Sequence, residues 1–139
     1  MIKIQRKDFN IELEINSIIK KNPSIGAVST FIGYVRNLNN KKNVQSIEIE
    51  VYKNMAEKEL KKICLAAKKK WDIQEYLILH RYGKLNTNEK IVLVATFSMH
   101  RKESFEACNY IMEYLKKDAP FWKKENYNSN FKWLKNIKS

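Results

Sequence analysis

The 139-residue chain is poor in several residue types: two cysteines, two prolines, three glycines, two histidines and, among 27 basic residues, only four arginines. Cys64 and Cys108 lie far apart with no CxxC and no His-containing ligand spacing, which excludes a disulfide framework and a Cys/His metal centre. Both read as reduced core residues. No stretch approaches the roughly 18 uncharged apolar residues of a spanning helix. The longest apolar run, around Ile91 to Phe97, suits a buried strand. Lys3, Arg6, Lys7 and Asp8 interrupt the amino terminus before an apolar leader can form, so a cytoplasmic protein is expected. There is no GxxxxGK[ST], no GxGxxG after a strand, no HExxH and no GxSxG, and His80 and His100 are too few for a His-rich metal site.

What is present describes one folded domain over residues 1–139. Hydrophobic residues make up 44% and aromatics 12%, enough for a single core and too much for general disorder. The net charge of +12 invites a nucleic-acid reading, because phosphate neutralisation by Lys and Arg supplies most non-specific affinity. Yet nearly all of the surplus is lysine, whereas arginine is preferred for bidentate recognition. A diffuse solvated lysine surface explains the excess equally well, and Arg6, Arg36, Arg81 and Arg101 are the more selective signal.

Periodicity orders the elements. Ile2 to Arg6 alternates as a short strand, and Ile11, Ile15, Ile18 and Ile19 follow helical spacing up to Asn22-Pro23. Ile25 to Val35 predicts a long strand with Gly26 and Gly33 at bends or close approaches, and Asn37 to Asn43 predicts a mobile loop. Ile47, Ile49 and Val51 alternate with glutamates, which predicts a strand paired with its predecessor. Asn54 to Trp71 is an amphipathic helix whose remaining face carries seven lysines from Lys53 to Lys70. Glu75 to Tyr82 and Lys90 to Phe97 predict two strands joined by Gly83 to Asn88, the second apolar on both faces and therefore central. A helix from about Arg101 to Lys117 ends before Pro120, and Phe121 to Glu125 resumes an extended pattern. This order gives an α+β class, helices packed on mixed or antiparallel strands.

Three constellations carry chemistry. Ser98-Met99-His100-Arg101 falls between the central strand and the last helix, where free backbone N–H groups and the helix dipole favour an anion. The same residues also suit a capping serine, a satisfied histidine and a solvated arginine. Lys116, Lys117, Lys123 and Lys124 flank Pro120-Phe121-Trp122; a lysine beside other cations can exchange protons near neutral pH, although any single lysine is by default solvent-facing. Arg36, at a strand end before an acid-free loop, suits a ligand clamp or an ordinary exposed turn.

Taken in order, Gly26-Ala27 with Phe31-x-Gly33-x-Val35-Arg36-Asn37, then Ile49-Glu50-Val51-Tyr52-x-x-Met55-Ala56, then His80-Arg81-x-Gly83-x-Leu85 and Ser98-x-His100-Arg101-x3-Phe105-Glu106-Ala107 form a specific series. Continued by Tyr114-Leu115-Lys116-x3-Pro120-Phe121-Trp122-Lys123-Lys124-Glu125, the series resembles the large, catalytic subunit of molybdopterin synthase, the molybdenum cofactor biosynthesis protein E family. The similarity runs from about Gly26 to Trp133.

The resemblance implies an α/β hammerhead with an additional antiparallel sheet. It implies a sulfurtransferase that converts cyclic pyranopterin monophosphate to the dithiolene molybdopterin. The sulfur would come from the thiocarboxylated Gly-Gly carboxy terminus of a small ubiquitin-like subunit, and the large subunit would form a homodimer within a heterotetramer. No metal and no cofactor are implied for this step, and neither a membrane nor a nucleic acid is an expected partner. A small basic nucleic-acid-binding module is the alternative. Carried over by position, the substrate-binding residues are Tyr34, Val35, Arg36, His100, Arg101, Lys116, Lys123, Lys124 and Glu125, with Lys116 and Lys123 as the catalytic pair. Phe121 and Trp122 are expected to wall the channel for the partner's tail.

Overall fold

A computed structural model describes residues 1–39, 42–127 and 130–134. Two four-stranded sheets share one core. The first has the order β1 (Ile2–Gln5), β6 (Ile73–Arg81), β8 (Lys90–Ser98), β2 (Ala27–Tyr34); β1 runs parallel to β6 and the other pairs are antiparallel. The second is antiparallel, with the order β10 (Asn130–Leu134), β9 (Phe121–Tyr127), β5 (Ser46–Val51), β7 (Gly83–Asn86). A two-stranded ribbon, β3 (Leu38–Asn39) and β4 (Lys42–Asn43), stands apart.

The first sheet is covered on both faces. Alternation along β6 and β8 sends Leu77, Leu79, Leu93, Ala95 and Phe97 to one side, where α1 (Ile11–Lys21) lays down Ile11, Ile15, Ile18 and Ile19. Asn10 caps this helix by accepting from the Leu13 N–H at 3.0 Å. The opposite side carries Ile78, Val92 and Val94. There it meets α2 (Lys53–Lys70) through Ala56, Leu60, Cys64 and Ala67, and α3 (Arg101–Lys117) through Ala107, Cys108, Ile111 and Leu115. Burial on both faces is why β8 reads as one continuous apolar run. The seven α2 lysines occupy what is left of that helix's surface.

Polar contacts set the pose of α3. Thr96 of β8 donates to the Ser104 carbonyl at 2.6 Å, and Ser29 of β2 donates to the Ser104 hydroxyl at 2.9 Å. At its other side, Tyr114 donates to Glu59 of α2 at 3.1 Å, and the Trp71 indole donates to Glu106 at 2.6 Å. Gly26 makes room for the turn that starts α3: a Cβ there would stand 2.4 Å from the Met99 carbonyl oxygen.

Three expectations change. β5 does not pair with β2; its neighbours are β7 and β9, because Tyr82-Gly83 carries the chain out of the first sheet and into the second. The segment from Gly83 is thus a strand instead of a mere connection, and Gly83, at φ +89°, makes the transfer in a conformation most side chains resist. The expected mobile loop from Asn37 to Asn43 instead holds the short β3–β4 ribbon; its positions 40–41 lie outside the described residues.

Phe97 is fully buried between α1 and the sheet. Phe97→Ala is therefore expected to lower the unfolding free energy by about 3–5 kcal/mol, read from urea denaturation followed by circular dichroism.

Candidate functional site

A cavity of about 310 Å³ opens where the two sheets meet the end of α3. Its apolar lining includes Phe31, Ile32, Ile91, Val92, Met112 and Leu115, and its polar lining includes Arg36, His80, Lys116, Lys123 and Glu125. Each comes from a separate piece of local logic. Arg36 follows the β-bulge at Gly33/Tyr34 that ends β2 pairing, and the backbone beside it is pinned because the Val35 N–H donates to Glu89 O and the Val35 carbonyl accepts from Asn88 N, both at 2.9 Å. Lys116 lies one turn beyond Met112 on α3 and so shares its face. Phe121, Lys123 and Glu125, every second residue of β9, share its inward side, where Lys123 is 8% and Glu125 4% exposed.

The electrostatics are unusual for a protein interior. Burial lowers the Lys123 pKa below the ordinary lysine value; Glu125 opposes that shift and the Arg36 charge adds to it. Among the described residues Glu125 is the one acid in the cavity lining, against the three cations Arg36, Lys116 and Lys123. The arrangement can therefore accept an anionic group and exchange a proton at a partly desolvated amine.

His80, on β6, is the residue that spacing did not single out for the site. It is 1% exposed and lies flat on Phe121, ring centroids 3.7 Å apart and planes at 15°. Its Nδ1 stands 2.8 Å from the Arg81 carbonyl oxygen. Burial pushes its pKa down to about 4; the hydrogen bond to Arg81 opposes the shift and the Lys123 charge assists it. The one available signal was a histidine on the apolar face of a strand, in line with Tyr76 and Ile78.

Of the positions expected from the sequence, Tyr34, Val35, Arg36, Lys116, Lys123 and Glu125 come together around this cavity. Lys124 does not. Strand alternation turns it to the other face of β9, 3.9 Å from Glu48. His100 and Arg101 are exposed at the amino terminus of α3, while Lys116 is at its carboxy end, a span of about 24 Å at 1.5 Å per residue. Ser98 does not cap the helix. It is buried and donates to the His100 carbonyl, and His100 itself is the cap residue without a side-chain bond. Phe121 and Trp122 do not wall the cavity: Phe121 lies behind His80, and Trp122 packs edge-on against Tyr52 on the far face. Among the other arginines, Arg81 is buried, donating to Arg6 O and Lys90 O and pairing with Glu89 at 3.3 Å, and Arg6 sits over the Tyr82 ring. Burial raises the Cys64 and Cys108 thiols to about 12 and about 11, which removes both as nucleophiles near neutral pH.

A two-sheet α+β scaffold whose cavity lining combines apolar residues with an arginine and two lysines is the candidate site of an enzyme subunit. The chain belongs to the MoaE protein family, whose model matches residues 4–118. It is 46% identical over 133 residues to the molybdopterin synthase catalytic subunit of Ralstonia nicotianae, covering 96% of this chain and 76% of that one. The fold is similar to the crystal structure of molybdopterin synthase from Staphylococcus aureus, with a TM-score of 0.88, 34% identity and 95% of each chain covered. It also matches a chain in a complex of subunits 1 and 2 of molybdopterin-converting factor from Helicobacter pylori 26695, with a TM-score of 0.81, 20% identity, and 96% of this chain and 90% of that one covered, a likeness of fold. Among the described residues, no helix is long and apolar enough to cross a membrane.

The neutral His80 has a consequence for stability. With a folded pKa near 4 against 6.5 for an ordinary histidine, the unfolded chain binds the extra proton first. The His80 contribution is therefore intact above pH 6.5 and is lost as pH falls toward 4, by about 3 kcal/mol in all. Urea unfolding of wild type and His80→Phe between pH 7 and 4 is expected to show wild type losing stability relative to the variant.

Proposed function

We propose that this cavity catalyses sulfur transfer from the thiocarboxylated carboxy terminus of a small ubiquitin-like partner to cyclic pyranopterin monophosphate, giving the dithiolene of molybdopterin. The observation that carries this reading is the presence of Arg36, Lys116 and Lys123 together in the lining of one apolar recess of about 310 Å³. The apolar walls suit a flat heterocycle, and the cations suit its phosphate.

The residues divide the work. Arg36 and the lysine ammoniums hold the anion by charge-assisted hydrogen bonds. The partner's thiocarboxylate sulfur forms a bond to a side-chain carbon of the substrate as that carbon's bond to oxygen breaks, the departing oxygen taking a proton. Water then cleaves the acyl–sulfur bond, leaving sulfur on the substrate and a carboxylate on the partner, and a second thiocarboxylated partner repeats both steps at the neighbouring carbon to complete the dithiolene. Both steps move protons and build negative charge on oxygen, and Lys116 and Lys123 are the groups placed to serve them. The lowered pKa of Lys123 favours proton exchange, and the charge of Glu125, two residues along the same face, opposes that lowering.

His100 and Arg101 enter through a second copy of the chain. The length of α3 keeps them from the cavity of their own chain. The β2 edge, which has no further strand beside it among the described residues, and the exposed Phe105 of α3 offer a surface for that copy. This reading accounts for an anion-suited helix terminus that is remote from the cations of its own cavity.

Lys116→Ala and Lys123→Ala are each expected to reduce molybdopterin formation by at least about 100-fold with an unchanged circular dichroism spectrum. The assay mixes purified protein, thiocarboxylated partner and the pyranopterin substrate. Full turnover in both variants removes the catalytic assignment.

A further inference from the structure

His80 has an acceptor without a partner. The Arg81 carbonyl can only accept, so the 2.8 Å contact requires a proton on Nδ1. A neutral imidazole carries one ring proton, which leaves Nε2 as a bare lone pair. No protein group among the described residues donates to it, and His80 forms part of the cavity lining. The ring cannot turn away to find a donor, because one face is stacked on Phe121 and Nδ1 is tied to the backbone. The side chain is thus held in one tautomer and one orientation.

Its surroundings make that lone pair distinctive. The other polar side chains of the cavity are the cations Arg36, Lys116 and Lys123, all donors, the carboxylate Glu125, whose interactions lie within the protein, and Tyr34, a neutral hydroxyl that is half-exposed and free to rotate where His80 is buried and fixed. A ligand held only by cations needs nothing but negative charge. A neutral acceptor facing the cavity adds a second requirement: a ligand that fills the cavity displaces the water able to donate to it, and only a ligand N–H restores that hydrogen bond. A discriminating site of this kind rejects an anion that lacks the donor.

We propose that His80 Nε2 is a substrate-binding group that accepts a hydrogen bond from an N–H of the bound ligand's nitrogen heterocycle, so that the cavity selects a pterin over a simple phosphate. The proposal rests on the reading of the cavity as a pyranopterin site.

The test uses protein labelled with ¹⁵N at histidine and two probes, cyclic pyranopterin monophosphate and inorganic phosphate. In the free protein the His80 resonances are expected to report the Nδ1–H tautomer. Saturation with the pyranopterin is expected to shift the Nε2 resonance in the direction of hydrogen-bond acceptance, and inorganic phosphate is expected to leave it in place. In parallel, His80→Phe retains a flat ring for Phe121 and lacks the acceptor. Calorimetry is expected to show its pyranopterin affinity reduced roughly tenfold or more while phosphate affinity is unchanged. A wild-type protein that binds the pyranopterin with no movement of Nε2, or that carries the proton on Nε2, overturns the role of His80 alone. A folded wild type that fails to bind the pyranopterin at all overturns the functional reading beneath it. An equal loss of pyranopterin and phosphate affinity in His80→Phe makes His80 a structural support of the cations and sinks the selectivity argument. The wild-type resonances decide the matter if His80→Phe does not fold.

Discussion

The stack of His80 on Phe121 joins the two halves of the molecule at the point where the chemistry is assembled. His80 belongs to the first sheet and Phe121 to the second, so their contact sets the depth at which β9 lies against β6. Lys123 follows Phe121 by two residues on the same side of β9, and that depth decides that its amine is buried at the cavity instead of reaching solvent. Much of the electrostatics follows from this placement. The desolvation of Lys123, its sensitivity to Arg36 and the neutrality of His80 are consequences of putting a strand carrying a lysine against an apolar sheet.

Such a site is held against its own preference. Cations gathered in a recess repel one another, and among the described residues Glu125 is the one acid in the cavity lining set against Arg36, Lys116 and Lys123. The frame around the recess is β8, buried on both faces, with Thr96 and Ser29 fastening α3 so that Lys116 projects at a fixed place. A bound anion relieves the repulsion, and ligand affinity and the stability of the loaded protein are expected to rise together. His100 and Arg101 lie exposed at the far end of α3, one helix length from the Lys116 of their own chain.

Much of the fold was legible in the residues. The three amphipathic helices, the doubly apolar β8 and the strand ending at Arg36 follow from periodicity, because each element's own pattern matches the faces it buries. Strand partners did not follow. The alternation of Ile47, Ile49 and Val51 declares a strand with one wet face, and that pattern is satisfied by β7 and β9 as well as by β2. Gly83 was visible as a turn residue, but its role as the crossing from one sheet to the other depends on where β7 finds a partner.

The site divides in the same way. The sequence by itself determined which residues carry charge and chemistry: Arg36, Lys116, Lys123 and Glu125 stand in a series of motifs that the family resemblance recognises, and residue type and spacing suffice for that. Only the tertiary structure decided which of them share a cavity. Strand alternation sends Lys124 to the opposite face from Lys123, helix length removes His100 and Arg101 from Lys116, and sheet packing brings His80 in from a strand remote in sequence. The physical reason is that charge and hydrogen-bonding capacity belong to a residue, whereas desolvation, proximity and the loss of a proton belong to the surroundings that the fold places around it.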